Sequence, residues 1–141
     1  MLYVFKYNPI YPTQNLALLN STPVMADGKI LDMTFVSEKD YLALVFETGA
    51  IMMYRNDEIE EAGNFSEGIL EASWSPNQEN LLVATKLGKL ILFNNSFDPE
   101  KEVDIDDGDL TFDSSETDHS IKECSISWKG DSTLFAVSYR V

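Results

Sequence analysis

The sequence predicts an all-β chain of stacked four-stranded sheets, and three observations lead there. First, an aromatic residue stands seven positions before an apolar triplet three times: Phe35 before Leu42-Ala43-Leu44, Trp74 before Leu81-Leu82-Val83, and Trp128 before Phe135-Ala136-Val137. Second, a glycine follows the first two aromatics by fourteen residues, at Gly49 and Gly88, and the third copy would place its glycine just past Val141. Third, the Phe35-to-Trp74 spacing of 39 residues is close to the roughly 40–45 residues of a four-stranded propeller blade. The expected fold is a partial WD40-like β-propeller of about three four-stranded blades, truncated in the last. Phe35, Trp74, Trp128, Gly49 and Gly88 are its repeat anchors.

Residues 1–27 are the least regular. Short strands at Leu2 to Tyr7 and Leu16 to Leu19, set apart by Asn8-Pro9 and Tyr11-Pro12, fit an outer strand or the end of a preceding blade. A first blade follows over 28–67. Its opening strand alternates Leu31, Met33 and Phe35 at period two, which places them on one face. Leu70, Ala72 and Trp74 repeat the set, as do Cys124, Ile126 and Trp128. Buried on that face, each aromatic would contribute on the order of 2–3 kcal/mol. The turns after them are rich in Asn, Asp, Gly and Pro, which accept local hydrogen bonds or fix φ.

The second strand of each copy (Tyr41 to Phe46, Leu81 to Thr85, Leu134 to Ser138) is apolar on both faces. That suits a strand covered on two sides. Third strands follow at Ala50 to Tyr54 and Lys89 to Phe93, with room for a variable fourth. Runs of five or six residues are too short for helices, and Val, Ile, Phe and Tyr favour strands. A second blade is expected over 68–97, a flexible acidic loop over 98–119, and the start of a truncated blade over 120–141. The loop assignment rests on ten carboxylates and one lysine between Asp98 and His119, a run expected to stay solvated.

Composition narrows function. The net charge of −14, with ten scattered Lys and Arg, opposes a nucleic-acid surface, which needs clustered cations. A docking face for a basic partner is compatible with it. No apolar run approaches the roughly 18 residues of a membrane span, and the start lacks a secretory pattern. One cysteine allows no internal disulfide, which suits a reducing compartment. The expectation is a cytoplasmic protein, with the nucleus as a second location, no membrane contact, and sequons that occur by chance.

Catalytic, cofactor and metal residues are expected to be absent. His119 and Cys124 are the sole residues of their types; a nucleophile pair needs contact and a third, orienting group. Structural zinc needs about four Cys or His ligands. Setting Gly108 at position six of a calcium loop puts Val103 first and Ser114 last, the wrong ligands for that motif. No phosphate-binding glycine pattern occurs. The aromatics share faces with aliphatics and read as core, against a base-stacking ladder.

Several elements occur together in order: Ser73-Trp74-Ser75-Pro76-Asn77-Gln78-Glu79, Leu82-Val83-Ala84-Thr85, Ser96-Phe97-Asp98-Pro99, Ser127-Trp128-Lys129-Gly130-Asp131 and Phe135-Ala136-Val137-Ser138. From about Ile30 to Val141 the chain resembles the N-terminal propeller of the largest, scaffolding subunit of the Elongator complex. The Phe-x-Pro and Trp-Lys-Gly-Asp elements carry most of the specificity. The resemblance implies a non-catalytic scaffold that supports tRNA wobble-uridine modification by contacts with other Elongator subunits. A separate subunit would perform the chemistry, and a C-terminal region absent here would dimerise the full-length protein. The family's basic tRNA-contacting segment is also absent, so tRNA contact through this segment would be indirect at most. The chain departs from the family where Glu100 to His119 stands in place of a Gly-Trp-Gly element. An unrelated WD40-type adaptor in trafficking or signalling, binding peptides or partner proteins, is the alternative.

Overall fold

The computed structural model describes residues 1–7, 16–105 and 121–140. All regular elements among them are strands, and they form four antiparallel sheets. The N-terminal hairpin pairs β1 (Leu2–Tyr7) with β2 (Leu16–Thr22). The first complete blade is a meander of β3 (Ile30–Val36), β4 (Tyr41–Phe46), β5 (Ala50–Arg55) and β6 (Glu58–Asn64). The second runs β7 (Ile69–Trp74), β8 (Asn80–Thr85), β9 (Lys89–Asn94) and β10 (Pro99–Asp104). A last hairpin joins β11 (Glu123–Trp128) to β12 (Phe135–Arg140). The fold is a partial β-propeller with β3, β7 and β11 as neighbouring inner strands.

The blades repeat in register as well as in sequence. Leu42 faces Tyr54 and Leu44 faces Met52 across β4–β5; Leu81 faces Phe93 and Val83 faces Ile91 across β8–β9. Each sheet thereby presents a leading face to the unit before it and a trailing face to the unit after it. The main core lies between blades. Val45 and Ile51 on the trailing face of the first pack with Ile69, Ala72, Leu81, Val83, Ile91 and Phe93 of the second. Every residue of β4 is buried, as expected for a strand sandwiched between neighbours.

Three details differ from the expectation. The second blade does not stop at residue 97: Pro99–Asp104 forms its fourth strand, hydrogen-bonded to β9. All six side chains of β10 are exposed, so charge costs nothing there. Backbone pairing decides the element, and carboxylates on a free edge oppose unwanted strand addition. The rest of the acidic stretch, with His119, lies outside the described residues. The alternation of the inner strands is also broken, because pairing skips Leu31 between Ile30 and Asp32, and Leu70 between Ile69 and Glu71. These bulges turn Leu31 away from the face of Met33 and Phe35, onto the core it shares with Ile69. Finally, β12 is largely exposed, unlike β4 and β8, since nothing among the described residues covers its trailing face.

Candidate interaction site

The repeated spacing builds a row of interlocked turns where one blade meets the next. After each inner strand the chain reverses tightly, and Lys39 N, Gln78 N and Ser132 N each donate to the carbonyl three residues earlier. At Gln78 and Ser132 the side chain meets the preceding turn. Gln78 Nε2 donates to Phe35 O at 2.8 Å while its Oε1 accepts from Ser37 N at 3.1 Å. In the next unit, Ser132 Oγ accepts from Asn77 N at 3.1 Å. Ser75 locks the turn from inside: its Oγ donates to Asn77 Oδ1 and accepts from Asn80 N. That satisfies a hydroxyl only 2% exposed and explains the Ser-Trp-Ser-Pro-Asn segment in structural terms.

The opposite rim is held by glycine geometry. Gly49 has φ +106°, and a Cβ there would lie 1.8 Å from Phe65 O. Phe65 N donates to Gly49 O, and Ile69 N donates to Glu47 O, tying the second blade to the first. Gly88 also has positive φ, +79°, but the nearest atom to its Cβ would be Ile121 Cδ1 at 3.3 Å.

The three aromatic anchors occupy equivalent strand positions but different environments. Trp74 rests on Val36, Tyr41 and Ala43 of the first blade and meets the Phe97 ring edge-on at 6.2 Å. Trp128 packs against Phe135 at 5.0 Å, and its Nε1 donates to Ser73 O at 3.2 Å. Trp74 Nε1 is buried with no such acceptor among the described residues. Phe35, by contrast, is 60% exposed, contrary to its reading as core. Its counterparts dock on a four-stranded preceding sheet, whereas among the described residues a two-stranded hairpin, β1–β2, precedes β3.

A groove of about 640 Å³ opens between the outer strands of the first blade and the β9–β10 turn of the second. Tyr41, Met53 and Phe97 form its apolar floor; Lys39, Arg55, Glu60, Glu61 and Asp98 stand on its rim. None of these five charged groups is in an ion pair among the described residues. The Tyr41 hydroxyl donates to Asn95 O at 2.6 Å, and the Arg55 guanidinium lies 5.7 Å from the Tyr41 ring centre. Burial pushes the Tyr41 phenol up to about 12, partly opposed by the Arg55 charge. The surface offers apolar contact with both signs of charge, as a peptide or protein side chain would need.

Elsewhere the chemistry is subdued. Burial, reinforced by the Glu71 carboxylate, pushes the Cys124 thiol up and so lowers its thiolate content. Asp32 is raised by burial, with the Thr34 hydroxyl bond opposing. Among the described residues no cluster of three His, Cys, Asp or Glu side chains could hold a metal. No helix there is long and apolar enough to cross a membrane.

The family profile described as "ELP1 first N-terminal beta-propeller" matches residues 9–118, well over half of the chain. The chain belongs to the ELP1 first N-terminal β-propeller family. No curated protein matches it. In ELP1-propeller terms, the matched span includes both complete blades and the turn clasp formed by Gln78. The clasp, the bulges and the Tyr41 groove were not read from the sequence. The recurrence of polar residues four places after each aromatic (Lys39, Gln78, Ser132) was the available signal for the clasp.

Proposed function

We propose that this chain is a non-catalytic scaffold element of the Elongator complex, supporting tRNA wobble-uridine modification through contacts with other Elongator subunits. The family match over residues 9–118 carries the reading. The net charge of −14 supports protein contact over direct tRNA contact. The groove lined by Tyr41, Met53 and Phe97 is a surface suited to such contact. Affinity purification of the tagged chain from its native cells should recover other Elongator subunits, and a paired Met53→Lys, Phe97→Lys variant should recover fewer. Absence of every Elongator subunit from a folded, expressed bait would defeat the proposal. Binding of a tRNA anticodon stem to the isolated chain, lost on raising salt, would overturn its protein-contact part.

A further inference from the structure

The floor of the Tyr41 groove is fixed by bonds within the chain. Phe97 has φ +62°, a left-handed backbone conformation that is costly for an aromatic residue. The turn enforces it: Phe97 N donates to Asn94 O, and Asn94 Oδ1 accepts from both Ser96 N and Asp98 N. The Phe97 ring stands 5.4 Å from that of Tyr41 and 6.2 Å from that of Trp74, and still lines the groove. The Tyr41 hydroxyl is held by Asn95 O. With Met53 from β5 these rings make an apolar floor that is ordered in advance, which lowers the entropic cost of covering it.

The rim is uneven in charge. Arg55 turns onto the floor, its Nη2 donating to Met53 Sδ at 3.5 Å and its guanidinium lying over the Tyr41 ring. Glu60 pairs with Met53 across β5–β6, so both side chains rise from the same face and the carboxylate stands beside the floor. Asp98 is aimed by Asn94, whose Nδ2 donates to Asp98 Oδ2 at 3.4 Å and leaves Oδ1 free among the described residues. Glu61 adjoins them on the rim. None of the three carboxylates meets a cation among the described residues. Against them Lys39 is the one rim cation with no bond to the floor.

We propose, on the protein-contact reading above, that this groove takes an extended protein segment in which an arginine neighbours an aliphatic residue. The aliphatic side chain covers Met53 and Phe97, and the guanidinium meets the carboxylates of Glu60 and Asp98, with Glu61 adding to the local field. Arginine suits the rim better than lysine, because its planar fork matches carboxylates and it gives up water more readily. The chain's net charge of −14 draws a basic segment toward it. An acidic segment would find Lys39 among three repelling carboxylates.

Methionine-methyl NMR of the chain, titrated with the blocked peptide Gly-Arg-Leu-Arg-Gly, should move the Met53 signal. The affinity should be roughly tenfold or more above that for Gly-Glu-Leu-Glu-Gly. Glu60→Gln combined with Asp98→Asn should weaken binding by roughly threefold to tenfold, as loss of exposed ion pairs does, and flatten its salt dependence. Lys39→Gln should leave binding equal or tighter. Preference for the acidic peptide, or a Met53 signal that neither peptide moves, would overturn the proposal. So would concentration-dependent movement of that signal without peptide, which would assign the groove to a second copy. The wild-type titration decides the matter even if a variant does not fold. If the peptides fail while Met53→Lys, Phe97→Lys still loses Elongator subunits, the arginine assignment falls and the protein-contact reading stands. Full recovery of those subunits by that variant would remove the groove from the contact altogether.

Discussion

Alanine at the two repeat glycines should have unequal costs, although the glycines occupy equivalent positions. At Gly49 the backbone has φ +106°, and the added Cβ would fall 1.8 Å from Phe65 O and 2.7 Å from its carbonyl carbon. Backbone cannot swing aside as a side chain can. Relief requires moving the segment that donates Phe65 N to Gly49 O. Strain of this kind costs on the order of 1–3 kcal/mol, and a lost hydrogen bond with its groups left unpaired costs about 1–3 kcal/mol more. Gly49→Ala should therefore destabilise by about 2–6 kcal/mol, a large share of the roughly 5–15 kcal/mol of an ordinary domain. At Gly88 the only close neighbour among the described residues is the Ile121 methyl at 3.3 Å. Conformational strain of about 1–2 kcal/mol should dominate there. Urea unfolding at one fixed protein concentration, with midpoints compared at unchanged slope, measures both. Equal shifts for the two variants, or less than about 1 kcal/mol at Gly49, would refute the reasoning.

Three further outcomes follow from the titrating groups. The Tyr41 phenol is raised from 10.0 to about 12, so the folded state holds this proton more tightly than the unfolded one. Its contribution is complete below pH 10 and should fade as pH rises toward 12, by at most about 1.4 kcal/mol per unit; Tyr41→Phe, followed by unfolding against pH, should flatten that window. Asp32 is raised by burial, so its ionised form disfavours folding increasingly as pH climbs through its folded value. Asp32→Asn should be neutral or stabilising at pH 7 by up to about 1 kcal/mol, provided the Thr34 hydroxyl keeps its acceptor; clear destabilisation in a thermal melt would contradict this. The Cys124 thiol is also raised, and should react with a thiol-specific reagent at neutral pH more slowly than free cysteine. A rate faster than the free amino acid would reveal a reactive site.

Much of the architecture was legible because local rules and the repeat agreed. The residues between Phe35 and Phe93 alternate, turn and alternate again at the same offsets, so strand boundaries could be placed from periodicity and turn chemistry. Charge misled at β10. Pro99 to Asp104 carry no apolar pattern because their side chains all face water, leaving backbone pairing with β9 as the only signal. The bulges at Leu31 and Leu70 were equally hidden, since a one-residue skip does not alter composition. The Tyr41 groove joins residues more than fifty positions apart in sequence, as in the Tyr41–Asn95 bond. No pattern in a single chain identifies that juxtaposition.

By itself the sequence determined that the molecule is β throughout, that its sheets repeat, and where the repeat's aromatic and glycine positions lie. These follow from side-chain period and backbone conformational preference, which act over a few residues. Only the tertiary structure decided which aromatics are covered. Phe35 and Trp74 are equivalent as strand residues, yet one is 60% exposed and the other is pressed against Val36 and Ala43. Burial belongs to whatever stands on the opposite face, and for Phe35 the described residues place only the β1–β2 hairpin there.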